Sequence, residues 1–309
     1  MVILFIAVGV AILGVLIGGL YAYIQAFYAK AGKKNINAYF DNNVSFASAK
    51  DEMDRLINRV KAMEFEDIFI KAYDGVKLYA KYYHIKDGAP VQIQMHGYKG
   101  RAERDFCGGH ALAVKMEHNI LLIDQRGCGQ SGGNTISFGV KERYDALAWA
   151  KYINERFPSS PIFMVGVSMG AATVLMTADM DLPENVKGII ADCPYSSPSA
   201  IIKKVCRDRG MPEKIYPFVT LGAMIYGHFS PNRASAVESV KNSRVPILLL
   251  HGKKDGFVPY SMAKEIYDSC TSDKYLYLFD EADHGMSYMS EPEKYEGAVI
   301  GFVEDCLND

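Results

Sequence analysis

Residues 162–172 contain a pattern that could hold a reactive serine. The pattern is G-x-S-x-G, from Gly166 to Gly170, directly after an apolar run and before a helix-like segment. A serine on a sharp strand-to-helix turn needs small residues two positions away on either side, because bulkier neighbours would clash. The pattern predicts Ser168 as a nucleophile, with Gly166 and Gly170 as elbow glycines. By itself it also fits an ordinary glycine-rich turn or a phosphate site at a helix N-terminus.

Two segments further along the chain offer an acid and a base. Asp255 and His284 each follow the end of a short apolar run, at Leu250 and Phe279. The carboxyl ends of the strands in an open α/β sheet meet at one edge, where such sheets gather their ligands. The chain order serine, aspartate, histidine therefore predicts a catalytic triad of Ser168, Asp255 and His284.

Other carboxylates could take the place of this acid. Asp192 ends another apolar run and is the alternative partner for His284, while Asp280 and Asp283 lie close to that histidine in sequence. We place Asp255 first because it lies in the loop after the penultimate strand. In such a triad the neutral histidine takes the serine proton during attack on a carbonyl, and the aspartate fixes the imidazole tautomer. The attack gives an acyl-enzyme that water then clears.

Acyl transfer also needs two hydrogen-bond donors for the oxyanion that develops on the carbonyl. One is expected from the residue after the nucleophile, Met169, and the other from the loop after the apolar run 91–95, at Tyr98. Both donors would be backbone N–H groups. His96 ends the same run, and we interpret it as a residue that shapes the loop rather than as the base.

Eight short runs predict the strands that must position these residues. Residues 65–72 and 77–84 form a predicted antiparallel hairpin around an Asp-Gly turn, and six later apolar runs alternate with helix-length segments. This spacing leaves room for crossover helices and predicts an α/β fold, with a mostly parallel central sheet and helices on both faces. The six later runs are 91–95, 120–123, 162–165, 186–191, 245–250 and 275–279.

The sequence divides into three predicted parts. Residues 1–29 are a transmembrane anchor, residues 30–64 a juxtamembrane linker with an amphipathic helix near 45–63, and residues 65–309 the α/β domain. Within this domain, residues from about 196 to 242 form a long insertion between two strands, which we interpret as a helical cap. It contains an almost wholly apolar stretch from Tyr216 to Tyr226.

The start of the chain is apolar enough to cross a bilayer. Residues 2–29 hold no Asp, Glu, Lys, Arg or His, and about 20 apolar residues at about 1.5 Å each span a hydrocarbon core of about 30 Å. Three tyrosines and three lysines then follow in the order of an aromatic belt and a basic anchor. They are Tyr21, Tyr23, Tyr28, Lys30, Lys33 and Lys34.

The lysines predict the orientation of the chain. Positive charge is retained on the cytoplasmic side of a membrane, so the sequence predicts a single-pass protein of the cell membrane with its globular domain in the cytoplasm. A cleaved signal peptide is the alternative. It would require a basic segment before a shorter apolar run, whereas here Met1 is followed at once by apolar residues.

Composition argues against several other functions. The 309 residues carry a formal net charge of −2, so the chain lacks the broad positive field that nucleic-acid binding requires. The six cysteines include no C-x-x-C pair, and the seven histidines do not have metal-ligand spacing. Neither a metal nor a cofactor is expected.

Five motifs together resemble the α/β-hydrolase superfamily. They are the His96-Gly97 loop, the turn from Asp124 to Gly132, the Gly166 to Gly170 elbow, and the loops that carry Asp255 and His284. Within the superfamily the chain is similar to bacterial membrane-anchored or secreted hydrolases of the serine aminopeptidase-like and esterase-like kind, where stretches similar to 190–196 also occur. The resemblance covers residues 60–305 and implies a cap after the sixth core strand, a structural role for the Asp124 turn, and no cofactor.

The residues predict a serine hydrolase, and the cap indicates its substrate. An apolar cap over a polar site favours a carboxylic ester with a hydrophobic acyl part, from a small-molecule or lipid-like substrate. Cap residues that only pack onto the core would carry no such meaning. Two alternatives stay open: a peptidase or amidase of the serine aminopeptidase type, and a non-catalytic membrane-tethered binding protein with the same fold.

Overall fold

The computed structural model of the protein describes residues 1–29 and 44–308. Lys30, Lys33 and Lys34, on which the predicted membrane orientation depends, lie outside the described residues. Within the described part, one mixed sheet lies between two layers of helices, and a long apolar helix precedes it.

All eight predicted strands are present and form one sheet. They are β1 (Glu66–Lys71), β2 (Lys77–Tyr83), β3 (Val91–Met95), β4 (Asn119–Asp124), β5 (Ile162–Val167), β6 (Val186–Asp192), β7 (Ile247–Gly252) and β8 (Lys274–Phe279). Their order across the sheet is β1-β2-β4-β3-β5-β6-β7-β8. β2 pairs antiparallel with β1 and β4, and the remaining neighbours are parallel. The prediction of a mostly parallel α/β sheet is confirmed.

The apolar runs of the central strands arise from burial on both faces of the sheet. Along β4, Leu121 and Ile123 belong to the hydrophobic cluster on one face, whereas Ile120 and Leu122 belong to the cluster on the other. Successive strand side chains point to opposite faces. A strand covered by helices on both sides is therefore mostly apolar, although β3 also buries Gln92 and Gln94.

Helices account for most of the remaining described chain. They are α1 (Val2–Ala26), α2 (Val44–Lys61), α3 (Ala102–Asp105), α4 (Cys107–Lys115), α5 (Glu142–Arg156), α6 (Met169–Leu175), α7 (Pro198–Asp208), α8 (Tyr216–Tyr226), α9 (Ala236–Val240), α10 (Tyr260–Ser269), α11 (Ser287–Ser290) and α12 (Pro292–Asn308). A 3-10 turn, Glu213–Ile215, precedes α8.

The amphipathic segment before the sheet forms α2. Met53, Leu56 and Val60 are buried along one side of this helix, and the side chain of Met53 packs in a small cluster with Cys107 of α4. The predicted packing role agrees with this arrangement, because the apolar stripe recurs at helical spacing and finds a partner surface.

The insertion between β6 and β7 contains α7, α8 and α9. Ser197 caps α7, since its Oγ accepts a hydrogen bond from the N–H of Ala200 at 3.2 Å, and Pro198 at the first helical position suits the helix start. Helix α8 coincides with the apolar stretch from Tyr216 to Tyr226. The cap is therefore helical, as predicted.

The end of α1 is part of the α/β domain. Phe27 is fully buried, and its ring meets Phe138 and Phe229 edge to face, with ring centroids 5.8 and 5.1 Å apart. The backbone N–H of Ala29 donates to the carbonyl of Asn134 at 2.9 Å. The predicted division at residue 29 is thus a division in sequence, and the last turns of α1 pack into the core of the domain that follows.

Tyr23 differs from its predicted place. It was expected beside Tyr21 in an interfacial aromatic belt, but its side chain is buried and its hydroxyl hydrogen-bonds Thr135 Oγ1 at 2.7 Å. Tyr21 is exposed. The two side chains lie on different faces of α1, and the side chain of Tyr23 packs into the domain.

Candidate active site

Ser168 lies at the turn between β5 and α6 in a backbone conformation that side chains rarely adopt. Its φ is 55° and its ψ is −113°. Its N–H donates to the carbonyl of Asp192 at 2.8 Å, which ties the turn to the neighbouring strand. Such strain costs about 1–3 kcal/mol and persists only where the surroundings enforce it, which is typical of a nucleophile held at a sharp elbow.

The elbow leaves no room for side chains at its two glycines. A Cβ on Gly166 would lie 2.3 Å from the carbonyl carbon of Gly170, and a Cβ on Gly170 would lie 1.8 Å from the carbonyl oxygen of Met95. Both distances are far below van der Waals contact. The close approach of strand, turn and helix therefore requires glycine at the two positions that the sequence pattern indicated.

Ser168, His284 and Asp255 lie together at the carboxyl edge of the sheet. His284 Nε2 is 2.9 Å from Ser168 Oγ, and His284 Nδ1 is 2.7 Å from Asp255 Oδ2. All three residues are buried. Because a carboxylate can only accept, Nδ1 carries the proton in the neutral imidazole, and Nε2 accepts from the serine hydroxyl.

Backbone donors hold the carboxylate of Asp255 in place. Its Oδ1 accepts from the N–H groups of Phe257 at 2.9 Å and Val258 at 2.7 Å. His251 Nε2 lies 3.2 Å from Oδ2 and 2.8 Å from the carbonyl of Val258. The acid is thus fixed by its own loop and by the end of β7, with its second oxygen directed at His284.

The charges of Asp255 and His284 shift the pKa of each other. Burial alone would raise the pKa of Asp255, but the adjacent His284 and the hydrogen bonds from the two histidines hold that pKa well below its ordinary range. Burial alone would lower the pKa of His284, but the carboxylate of Asp255, followed by Asp192 and Asp283, raises that pKa above its ordinary value. Ionised Asp255 therefore favours a protonated His284, which is the state a general base enters during proton transfer.

The three competing carboxylates have other partners. Asp192 is buried and accepts from Ser287 Oγ at 3.0 Å, and burial raises its pKa to about 6. Asp280 is exposed and pairs with Lys253 at 2.6 Å. Asp283 accepts from the backbone N–H of His284 at 2.7 Å. The imidazole of His284 faces Asp255 instead.

The two predicted oxyanion donors belong to residues that flank Ser168. Tyr98 and Met169 both line the same cavity as Ser168. Met169 begins α6, where the first N–H groups have no acceptor within the helix.

His96 has the structural role expected of it. Its Nε2 accepts from the N–H of Gln125 at 3.0 Å, and its Nδ1 donates to the carbonyl of Gly97 at 2.7 Å.

Two contacts that support the Tyr98 loop were not foreseen from the sequence. Asp105 Oδ2 accepts from the N–H of Gly97 at 2.9 Å, and the hydroxyl of Tyr98 donates to the carbonyl of Ala26 at 2.7 Å. The second contact joins this loop to α1. Neither leaves a recognisable sequence signal, because both depend on where separate segments meet.

A cavity of about 800 Å³ opens beside Ser168. Its wall combines the Tyr98 loop with Ala22 and Gln25 of α1 and with cap residues such as Ile202 and Phe218. The volume lies within the range of ordinary ligand pockets. The contribution of α1 was missed in the sequence. Gln25, the single amide side chain in residues 2–29, is the one signal that pointed to a protein-facing side of this helix.

Cys193 lies next to the acid and base. Its Sγ and the ligand atoms of Asp255 and His284 lie within 4.8 Å of one another, which is close enough to raise the question of a metal site. Burial raises the pKa of Cys193 well above its ordinary value, whereas metals bind the thiolate. His284 is also engaged by Ser168 and Asp255, so this donor set fits a metal poorly.

Two family models match the chain. One, described as alpha/beta hydrolase fold, matches residues 95–205, and the other, described as serine aminopeptidase S33, matches residues 231–293. The first range contains the Tyr98 loop and the Ser168 elbow. The second contains Asp255 and His284. The two matches thus cover the four loops that carry the predicted site residues.

Curated relatives are similar at low identity. An uncharacterized protein, YqkD of Bacillus subtilis, is 26% identical over 64% of this chain and 66% of its own length. The lysophosphatidylserine lipase ABHD12 of Danio rerio is 25% identical over 60% of this chain and 49% of its own length. The chain therefore spans just under two thirds of the first relative and about half of the second.

Solved structures share the fold. The esterase Pf2001 of Pyrococcus furiosus superposes with a TM-score of 0.65 at 23% identity, over 80% of this chain and 93% of that one. Est1E of Butyrivibrio proteoclasticus, solved with ferulic acid, gives a TM-score of 0.62 at 22% identity, over 78% of this chain and all of that one. With the elbow, the strand order and both family matches, these likenesses show that the chain has the α/β-hydrolase fold.

Proposed function

We propose that the protein is a membrane-anchored serine hydrolase that cleaves a carboxylic ester with a hydrophobic acyl part through an acyl-enzyme on Ser168. The observation that carries this proposal is the continuous hydrogen-bonded chain from Ser168 Oγ through His284 to Asp255, with distances of 2.9 and 2.7 Å. An activated serine at the end of an apolar cavity is the arrangement that acyl transfer requires.

In the proposed mechanism the groups act in order, with His284 as base and then as acid. Neutral His284 takes the proton of Ser168 as the hydroxyl attacks the ester carbonyl, and Asp255 stabilises the imidazolium that forms. The N–H groups of Tyr98 and Met169 stabilise the oxyanion. The imidazolium then gives its proton to the departing alcohol, and a water molecule, deprotonated by the same histidine, hydrolyses the acyl-enzyme.

The cavity wall supports an ester with an apolar acyl group. Among the described residues that line the cavity, no Asp or Glu occurs, and most are apolar or aromatic. A peptidase of the aminopeptidase type needs an acidic group to hold the free amine of its substrate. The match to the serine aminopeptidase model keeps amide hydrolysis as the second candidate, but the wall favours an ester.

The buried end of α1 supports a permanent anchor rather than a cleaved leader. The apolar helix Val2–Ala26 is long enough to cross a membrane. A cleaved segment would not contribute to the core, yet Phe27 and Ala29 are buried there. Retention on the membrane is therefore part of the proposal, and the positive charge of Lys30, Lys33 and Lys34 is the reason to propose that the domain is in the cytoplasm. Labelling of the domain in intact cells by an impermeant reagent would contradict that orientation.

The central test is activity profiling of the full chain in detergent with Ser168→Ala as the control. We expect a fluorophosphonate probe to label the wild type and not the variant. Hydrolysis of nitrophenyl esters should rise from acetyl to octanoyl and disappear in Ser168→Ala. Activity that falls along the acyl series would refute the hydrophobic substrate, preference for aminoacyl amides would favour the second candidate, and absence of both labelling and turnover would indicate a non-catalytic protein.

A further inference from the structure

Helix α8 of the cap packs directly on α1. Gly222 meets the backbone of Gly19, and the ring of Phe218 lies beside Gly18, 3.9 Å from the place of its Cβ. The hydroxyl of Tyr226 donates to the carbonyl of Leu16 at 3.1 Å. The contact on α1 therefore begins at residue 16, well before the end of that helix, and continues to Tyr23, whose ring lies 6.0 Å from that of Tyr226.

In the proposed function α1 spans the bilayer. The position of the contact along α1 then fixes how deep the contact lies in the membrane. A hydrocarbon core of about 30 Å takes about 20 residues at about 1.5 Å each, which from Val2 reaches Tyr21. Leu16 and Gly19 lie inside that stretch. The part of α1 before this contact, residues 2–15, measures about 21 Å, which is shorter than the hydrocarbon core.

Helix α8 has the composition that this depth demands. Its sequence contains no charged residue. The side chains of Phe218, Met224 and Ile225 are exposed on the domain, beside the exposed apolar surface of α1. Apolar surface of this kind is expected where a protein meets a membrane.

Cations lie just before α8 and at the cavity rim. Lys99, Arg209 and Lys214 all line the cavity, and Arg209 and Lys214 precede α8 in the chain. Basic side chains are favoured at the level of the lipid phosphates, next to an apolar segment that lies deeper. The order of charge followed by apolar helix agrees with α8 dipping below the headgroups.

We propose that α8 lies in the hydrocarbon of the same leaflet through which α1 passes, so that the cavity receives its ester substrate sideways from the bilayer. The substrate class that follows is a membrane-resident ester with a long acyl chain. The acyl chain of the substrate enters along α1 and α8, whose residues Ala22 and Phe218 line the cavity. The ester group then reaches Ser168 near the membrane interface. This inference rests on the proposed anchor and on the proposed hydrolysis.

Tryptophan quenching by brominated lipids tests the depth of α8 in the intact protein. Trp149 is the single tryptophan of the chain and is fully buried, so it supplies a constant background. Full-length Ile6→Trp, Met224→Trp and Phe65→Trp variants would be reconstituted in phosphatidylcholine vesicles with and without brominated acyl chains. All three positions are exposed. Phe65 precedes β1 at the end of the sheet remote from Ser168, which makes Phe65→Trp the matched control.

We expect strong quenching of Ile6→Trp and Met224→Trp and little quenching of Phe65→Trp. If Ile6→Trp is quenched while Met224→Trp behaves like the control, α8 lies outside the membrane and the inference is overturned, although the anchor stands. If neither is quenched, the anchor fails and the inference fails with it. Ile225→Trp repeats the measurement should Met224→Trp fold poorly.

A charge on α8 gives a second readout. The quantity measured is the turnover of a long-chain ester in vesicles divided by the turnover of a soluble short ester. Met224→Glu should lower this ratio by about tenfold or more, because a carboxylate is costly in hydrocarbon. Phe65→Glu should leave the ratio at the wild-type value. An unchanged ratio in Met224→Glu would overturn lateral entry, whereas loss of turnover on both esters in wild type would instead refute the proposed hydrolysis.

Discussion

Gly19 of α1 and Gly222 of α8 meet backbone to backbone. A Cβ on Gly222 would lie 2.2 Å from the carbonyl oxygen of Gly19 and 3.0 Å from its carbonyl carbon. The two helices can approach this closely only because position 222 carries no side chain, whereas a Cβ on Gly19 would lie 3.5 Å from Gly222 Cα, an ordinary contact. Their contact joins the N-terminal helix to the cap, and the stability of the cavity wall depends on it.

Gly222→Ala should therefore separate α1 from the cap. Inserting one methyl group into a closed contact costs about 1–3 kcal/mol, so we expect a lower Tm for the full chain in detergent and weaker hydrolysis of long-chain esters. Gly18→Ala is the control, because its new Cβ would meet only Phe218 at 3.9 Å, an ordinary contact. Equal Tm values for the two variants would show that the close approach has no structural importance.

The acid side of the pH profile should reflect the raised pKa of His284. Only neutral His284 can accept the proton of Ser168, so kcat/KM for a soluble ester is lost as the pH falls through the pKa of this imidazole. Because that pKa is raised, the midpoint should lie above the ordinary histidine value of about 6.5. Steady-state rates between pH 5 and 9, in the range where the protein stays folded, measure it.

Asp255→Asn should move this midpoint to lower pH. The variant removes the largest charge that raises the pKa of His284, and it should also reduce kcat by roughly 10³- to 10⁴-fold, because the amide can hold the wrong tautomer. Asp280→Asn removes an exposed acid near His284 in sequence and should change neither quantity. A midpoint that stays in place in Asp255→Asn would assign the raised pKa to Asp192 or Asp283 instead.

Gly170→Ala should disrupt the elbow. The new Cβ would lie 1.8 Å from the carbonyl oxygen of Met95, so β3 and α6 must move apart and Ser168 must leave its strained turn. We expect loss of fluorophosphonate labelling together with a lower Tm. Gly256→Ala lies in the Asp255 loop with nothing within 4 Å of the new Cβ; comparable losses there would indicate general fragility rather than a packed elbow.

Tyr98→Phe should loosen the link between the Tyr98 loop and α1. The variant deletes the hydrogen bond to the Ala26 carbonyl, which typically contributes about 0.5–1.5 kcal/mol, and leaves the backbone N–H of the proposed oxyanion site in place. A small decrease in Tm with a larger decrease in kcat is expected. Tyr260→Phe, at an exposed residue on α10, provides the comparison, and matching effects in the two variants would argue against a specific role for Tyr98.

The strands and the elbow could be predicted because their signals are local. A strand buried on both faces is mostly apolar, which marks β3 to β7. An elbow must have glycine at Gly166 and Gly170, where any Cβ would strike the backbone. The positions of Asp255 and His284 at strand ends follow from the topology of parallel sheets. These features need only periodicity, spacing and chain order.

The choice among the carboxylates needed the tertiary structure. Asp192 and Asp255 both end apolar runs, and sequence alone left both available to His284. The path of each loop decides, because Asp192 is held by Ser287 while the backbone N–H groups of Phe257 and Val258 direct Asp255 toward the imidazole.

The sequence by itself determined a mostly parallel α/β sheet, a serine elbow and an apolar helix at the start of the chain. Only the tertiary structure decided that this helix forms part of the cavity wall and that Tyr23 turns toward the domain. The physical reason is separation along the chain: Tyr226 and Leu16, joined by a hydrogen bond, are 210 residues apart. An apolar residue that faces lipid and one that faces a packed helix leave the same local pattern, so the partner of each face appears only when the chain has folded.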